Sequence, residues 1–399
     1  MDAGLGLTIA PVAPFDLVTT TEQLARVVAA CTGAARLAID TEANSRHHYP
    51  EHVCLVQIAV ADLVFLIDPL AVSDLSPLAP VLADPSVEKL LHGADYDLRG
   101  LHRDWGLTIV NVFDTYVAAR LVGLEEVGLA ALLRDVIGVE IPKDPRLQKQ
   151  DWSRRPIQDV ALAYAAEDVT HLGQLRDALA QRLHEKGREA WAAEEFARLE
   201  EIRYSPPDPG HGLFSMKEAR GLGGRGLAVM KALLAFRDDT ARRSDRPPAF
   251  VVPNSLLGEL AADPGLDPRD APSATPGLAR RYGDGLRRAV SQGRADPEVE
   301  RPVSPRPEGP RPSRLEMNAI RDRLKRLKDW RSAQAKAYVL DPALVWPARS
   351  LERLARDLRA MDDEFAAPEV RHWQRAEFGE LLAAAAAALR SGQNTAPSA

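Results

Sequence analysis

Four acidic residues and one tyrosine are the side chains in this sequence whose types and spacing could do chemistry. Asp40 and Glu42 stand in the run Ile39-Asp40-Thr41-Glu42, at the end of a short hydrophobic stretch. On a strand, residues i and i+2 point to one face, so the two carboxylates would lie side by side. Two like charges that close repel unless one is protonated or a cation bridges them. Oxygen donors of this kind favour magnesium or manganese over zinc. A lone D-x-E is more often a solvated strand end, so the pair needs company. Asp97 follows the small-residue turn His92-Gly93-Ala94 and falls in the first turn of an expected helix, with Asp95 as a candidate cap. In Tyr164-Ala165-Ala166-Glu167-Asp168, Tyr164 and Asp168 are four apart and share a helix face. A further carboxylate with a phenol beside it is the pattern expected where a hydroxyl orients a water near a metal.

Such side chains need a rigid frame. Strand signals run over 36–40, Val53–Val60, Leu63–Ile67 and 89–92, with Ala61-Asp62 as the turn of a hairpin. Helix signals alternate with them. Thr21 is a candidate cap for a helix through Leu24, Val27 and Val28. Further helices are expected at 76–82, 96–103, 114–121 and 129–137, and one long helix at 157–186 with Pro156 at its entrance. This order predicts an α/β fold, a mixed sheet with helices on both faces. Proline-rich stretches at 205–210 and 301–312 cannot continue a helix or a central strand and are expected to be linkers. They divide the chain into 1–205, 211–300 and 312–390. Leu227, Met230, Leu233, Leu234 and Phe236 recur at helical spacing, as do Leu315, Ile320, Leu324 and Leu327, so the two later segments are expected to be small helical bundles.

Composition narrows the class of protein. The chain has 399 residues, 45% hydrophobic and 27% charged, which suits two or three globular domains. Its two cysteines, Cys31 and Cys54, exclude a disulfide scaffold and fit a reducing compartment. No apolar run reaches the length of a membrane span, and the first residues lack the basic and apolar regions of a leader, so a cytoplasmic location is expected. The net charge of −6 is unevenly spread: −13 over 1–210, +2 over 211–300, +7 over 301–350 and −2 over 351–399. An acidic first half joined to a basic segment suits a metal-using enzyme with a separate polyanion-binding part. The densest cations, Arg323, Lys325, Arg326 and Lys328, flank the stripe of Leu324 and Leu327 and are candidate phosphate contacts, against the alternative of a solvated helix face. Arg154 and Arg155 are candidate phosphate contacts or plain helix-start charges. Trp152 is expected to anchor its loop on the core in preference to stacking a base, His92 is a candidate phosphate contact or a hydrogen-bonded strand-end residue, and the glycine-rich 221–226 is expected to be a helix-entry turn.

Taken in order, D-x-E, then H-G-A-x-x-D, then Y-x-x-x-D, the motifs resemble the DEDD exonucleases of the tyrosine subclass, and within them the ribonuclease D family. Val53-Cys54-Leu55-Val56-Gln57-Ile58, Phe113-Asp114-Thr115 with Ala118-Ala119-Arg120-Leu121, and Gln148-Lys149-Gln150-Asp151-Trp152-Ser153-Arg154-Arg155-Pro156 extend the resemblance over roughly residues 30–190. Leu233-Leu234-Ala235-Phe236-Arg237-Asp238 with Arg246-Pro247-Pro248 resembles an HRDC domain, and Leu340-Asp341-Pro342-Ala343-Leu344-Val345 a second, diverged one. The resemblance implies a ribonuclease H-like fold followed by two helical domains. It also implies hydrolytic removal of 3′ nucleotides as 5′-monophosphates, from tRNA precursors or other structured RNA, by a monomer. By matching position, Asp40, Glu42, Asp97 and Asp168 correspond to the acids that hold two divalent metal ions, and Tyr164 to the tyrosine that orients water. The sequence departs from the family at Ala43, where many members have an aromatic residue, with Arg46-His47-His48-Tyr49-Pro50 following. A DNA exonuclease with the same chemistry, and a non-catalytic RNA-binding protein on a degenerate nuclease, are the alternative expectations.

Overall fold

The computed structural model describes residues 8–9, 14–141, 144–206, 209–302 and 312–392. Six strands form one mixed sheet: β1 (Asp16–Val18), β2 (Arg36–Ala43), β3 (Val53–Val60), β4 (Leu63–Ile67), β5 (Glu88–Leu91) and β6 (Val112–Asp114). Their order across the sheet is β1-β4-β3-β2-β5-β6. The β2–β3 and β3–β4 pairs are antiparallel, and the β1–β4, β2–β5 and β5–β6 pairs are parallel. Every residue of β3 is buried, as befits an inner strand covered on both faces. Ala61, with φ of 49°, makes the hairpin turn between β3 and β4.

The alternation along β2 decides which face each side chain serves. Leu37 and Ile39 join one apolar cluster with Leu24 and Val27 of α1 (Thr21–Cys31) and Leu98 and Leu101 of α2 (Asp95–Trp105). Ala38 joins the cluster on the other face, with α3 (Thr115–Val122), α4 (Asp159–Thr170), α5 (Leu172–Glu185) and α6 (Glu189–Glu200). Period-two alternation therefore turns Asp40 and Glu42 toward α4, and Thr41 toward α2.

Two local details differ from the expectation. The cap of α1 is Thr20, which accepts from Gln23 N while the Gln23 side chain accepts from Thr20 N, a reciprocal capping box. The expected long helix at 157–186 is two helices, interrupted at His171. Thr170 Oγ1 donates to the carbonyl of Ala166 at 2.7 Å. Such back-bonding by a threonine bends a helix. The break lets α4 lie along the sheet while α5 turns to pack on α3.

The remainder is helical. The first module holds α7 (Gly224–Ser244), a turn at Pro248–Val251, α8 (Asn254–Ala262) and α9 (Pro276–Ala295). The second holds α10 (Arg314–Tyr338), a turn at Pro342–Val345, α11 (Ala348–Arg356), the short Met361–Ala366 and α12 (His372–Ser391). The first has its own core, built on Leu227, Met230, Leu233, Leu256, Leu260 and Leu286. The second shares one continuous cluster with the sheet domain. Most of the expected linker at 301–312, and Pro207 and Asp208 of the one at 205–210, lie outside the described residues, as do the last residues, 393–399.

Candidate active site

The end of β2 gathers the acids from both sides of the sheet. Carboxylate oxygens of Asp40, Glu42 and Asp168 lie within 4.8 Å of one another. Asp97 arrives on the other side, carried by the first turn of α2, and is buried. Thr41 Oγ1 donates to Asp97 Oδ1 at 2.5 Å, so the residue between the two strand acids orients the one on α2. Tyr164 stands one turn before Asp168 on α4.

The loop that delivers Asp97 is held by Asp114, whose significance was not visible in the sequence. Its buried carboxylate accepts from Gly93 N and Ala94 N before α2, and from Tyr116 N and Val117 N at the start of α3. Asp114 is thus the cap of α3 and the anchor of the preceding turn at once. Asp95 is not the cap of α2; it lies in the first turn and pairs with Arg99 at 2.8 Å.

The electrostatics of the cluster call for a countercharge. Burial, and after it the neighbouring carboxylates, hold Asp40, Glu42 and Asp97 well above the usual carboxylate range. Burial and the charges of Glu167 and Asp97 push Asp168 up to about 7. Among the described residues, the charges acting on Asp40, Glu42 and Asp168 are all carboxylates. An all-oxygen donor set with unrelieved repulsion fits a hard divalent cation. Tyr164 is shifted upward by burial, then by the charges of Asp168 and Glu42, and so keeps its phenolic proton.

The other nominated residues are placed differently. Arg155 gives two donors to Asp68, at 2.6 and 2.7 Å, and the rest to the carbonyls of Cys54, Trp152 and Arg154. All five guanidinium donors are engaged, which leaves none for a phosphate; Arg155 fastens its loop to the sheet. Arg154 is exposed, 3.3 Å from Asp151. Trp152 is buried in the core. His92 Nδ1 lies 2.9 Å from Thr115 Oγ1. The glycine-rich 221–226 leads into α7, with Gly223 at its cap. On α10, a turn of 100° per residue sets Arg323 and Arg326 on one side and Lys325 and Lys328 on the other. Both lysines are exposed, and Lys325 pairs with Asp329 at 3.2 Å.

The loop after Ala43 proves to be a junction. His48 Nδ1 is 2.6 Å from Asp245 at the end of α7, and its Nε2 lies 2.9 Å from Ser153 Oγ and 3.3 Å from Asp151. Tyr49 donates its hydroxyl to Asp238 and its amide to Asp245 Oδ1, and Arg242 stacks over its ring. Sequence reasoning missed this junction, because its partners lie about a hundred or more positions apart.

A carboxylate cluster at the end of an inner strand of a mixed six-stranded sheet, with a tyrosine one turn from the last acid, suits metal-assisted hydrolysis of a phosphodiester. The 3′–5′ exonuclease family matches residues 15–184, and the HRDC domain family matches residues 226–289. The chain is 34% identical to the ribonuclease D of Gluconacetobacter diazotrophicus over 91% of each chain. It is 31% identical to that of Granulibacter bethesdensis over 94% of this chain and 93% of the relative. The crystal structure of Escherichia coli RNase D shares the fold, with a TM-score of 0.72 at 24% identity over 96% of this chain and 100% of that one. The chain belongs to the ribonuclease D family and is a hydrolytic 3′–5′ exoribonuclease.

Proposed function

We propose that this protein trims the 3′ ends of structured RNAs, tRNA precursors among them, one nucleoside 5′-monophosphate at a time. The observation that carries this reading is the convergence of Asp40, Glu42 and Asp168 on one point, with Asp97 oriented beside them by Thr41. In our reading these four acids hold two magnesium or manganese ions. When bound, the ions supply charge neutralisation at the scissile phosphate and at the leaving 3′ oxygen. The chain's own groups do the rest. Tyr164, kept protonated by burial and by its acidic neighbours, holds the attacking water through its hydroxyl. The hydrogen bond from Thr41 and the burial of Asp97 keep the acids in place before substrate arrives. The positive balance of 301–350 supports a separate RNA-holding surface, and the free, buried thiols of Cys31 and Cys54 support a reducing, cytoplasmic setting. We take the active species to be a monomer.

The test is digestion of end-labelled RNA and of the matching DNA strand with magnesium or manganese, the products resolved by size, for the wild type and Asp40→Ala. Stepwise shortening of RNA in preference to DNA, abolished in Asp40→Ala at an undiminished melting temperature, is the expected result. Near-wild-type turnover in Asp40→Ala would overturn the site, and equal digestion of DNA would overturn the substrate.

A further inference from the structure

Four arginines of the second module line one open cleft of about 390 Å³. Arg323 comes from the middle of α10, Arg356 from the last residue of α11, Arg359 from the turn after it, and Arg390 from the end of α12. Leu358 and Leu389 supply its apolar lining, and Asp357 is the one acid among the lining residues. Oδ1 of Asp357 accepts the backbone amide of Arg359 at 2.9 Å.

Two other arginines of this module have carboxylate partners. Arg353, on α11 itself, lies between Glu364 at 2.6 Å and Glu369 at 2.7 Å, and Arg371 pairs with Glu195 at 2.9 Å. The side chains of Arg323, Arg356, Arg359 and Arg390 make no hydrogen bond or ion pair among the described residues. Arg323 Nε is shielded from solvent as well and has no partner. A buried donor without an acceptor has lost its water and gained nothing. The helix macrodipole accounts for a cation at the ends of α11 and α12, but not for Arg323, which sits in mid-helix. Four guanidinium groups around one cleft, with a single acid among them, repel one another until an anion enters. The planar fork of arginine matches phosphate oxygens two at a time.

We propose that this cleft binds a phosphodiester group of the RNA substrate, outside the catalytic domain. The proposal rests on the reading of the chain as an exoribonuclease acting on structured RNA. It assigns the contact to the side of α10 that carries Arg323, and not to the side that carries Lys325 and Lys328. A phosphate held there anchors the body of the RNA while its 3′ end is shortened elsewhere.

The experiment uses the full chain in two double variants of equal charge change, Arg356→Ala/Arg359→Ala and Lys325→Ala/Lys328→Ala. All four side chains are exposed, and matched melting temperatures confirm that the fold is kept. Binding of a hairpin RNA with a single-stranded 3′ tail is measured in chelator across a salt series. Hydrolysis of a short single strand is measured with magnesium. The arginine pair should lose about tenfold in affinity. The log–log salt slope should flatten by about 0.7–0.9 for each phosphate that is no longer neutralised. Short-strand hydrolysis should be unchanged, and the lysine pair should stay close to wild type in every arm. Unchanged affinity and slope in the arginine pair, or an equal loss in the lysine pair, would overturn the cleft as the site. Inorganic phosphate titrated at constant ionic strength separates a free anion from RNA backbone. Phosphate binding that the arginine pair abolishes, with RNA affinity intact, would also overturn the proposal. Failure of the wild type to hydrolyse the short strand would instead fell the exoribonuclease reading, while the binding arm still reports on the cleft.

Discussion

The two helical modules share one order of elements, a long helix, a single turn, a nine-residue helix and a twenty-residue helix, with the short Met361–Ala366 added before the last in the second, yet they meet the catalytic domain by different physics. The first keeps a core of its own, against which the Tyr49 ring packs, and otherwise touches the catalytic domain through polar groups, His48 against Asp245 and the Tyr49 hydroxyl against Asp238. The second has lost that independence. Trp373 of α12 stacks on Trp191 of α6 with ring centroids 4.5 Å apart, and Trp373 Nε1 donates to Glu195 at 3.0 Å. Glu194 of α6 caps α12, accepting from His372 N at 2.8 Å and Trp373 N at 3.0 Å. Arg188 ties the carbonyls of Leu121 and Tyr338, at 2.5 and 2.7 Å. A junction of charged and polar side chains answers to pH and salt, whereas one of stacked aromatics answers to lost volume.

That contrast can be broken from either side. The largest effect is expected from Trp373→Ala, which opens a cavity where two domains share a core and should cost about 3–5 kcal/mol. Calorimetry should show the catalytic domain and second module losing stability together; a separate transition for the module would refute the shared core. Gly123→Ala should cost less, about 1–3 kcal/mol. Gly123 has φ of +85°, and a Cβ there would collide with the Val339 carbonyl of the second module. Denaturant melts report its size, and a neutral effect would mean that the second module yields easily.

The smallest effect is expected at His48. Burial pulls its pKa down, but its hydrogen bonds to Asp245 and Asp151 outweigh that and leave it raised. Both carboxylates are lowered, Asp245 first by His48, and Asp151, against its burial, to about 2 by Ser153 and then His48. A raised histidine contributes its full stabilisation below its unfolded value of about 6.5 and loses it as pH climbs through the folded one. Attachment of the first module should therefore loosen as pH rises from about 6.5 through the raised folded value. Protease cutting near residues 205–211 should rise over that range in the wild type and hold level in His48→Gln, where no proton is gained or lost. The second module's attachment, held by stacked aromatics as well as by His372 against Glu194 at 3.1 Å, should change less.

Much of the catalytic architecture was legible because it rests on local periodicity. The D-x-E at a strand end has one consequence on any strand, and the four-residue step from Tyr164 to Asp168 has one on any helix. The four expected strands appear within a few residues of their places, and the hairpin turn falls at Ala61. What stayed hidden depends on contacts distant in sequence or on competition between neighbours. Nothing near Asp114 announces that it will collect amides from two loops. A threonine at 170 is compatible with a continuous helix until its hydroxyl captures the Ala166 carbonyl. Arg154 and Arg155 look alike in sequence, yet one is exposed to solvent and the other is consumed by Asp68 and three carbonyls. His48 and Tyr49, in the loop where the family pattern departs, acquire a role only once α7 folds against them.

The shared core has a topological consequence. The first module lies between two stretches of chain, up to residue 205 and from residue 312, that adhere to each other without its help. Scission of the backbone in either proline-rich connector should therefore leave a nicked but assembled particle. Expressed as two separate polypeptides, one ending near residue 300 and the other starting near residue 312, the halves should find each other and co-purify, reconstituting a two-piece enzyme from fragments that were never covalently joined.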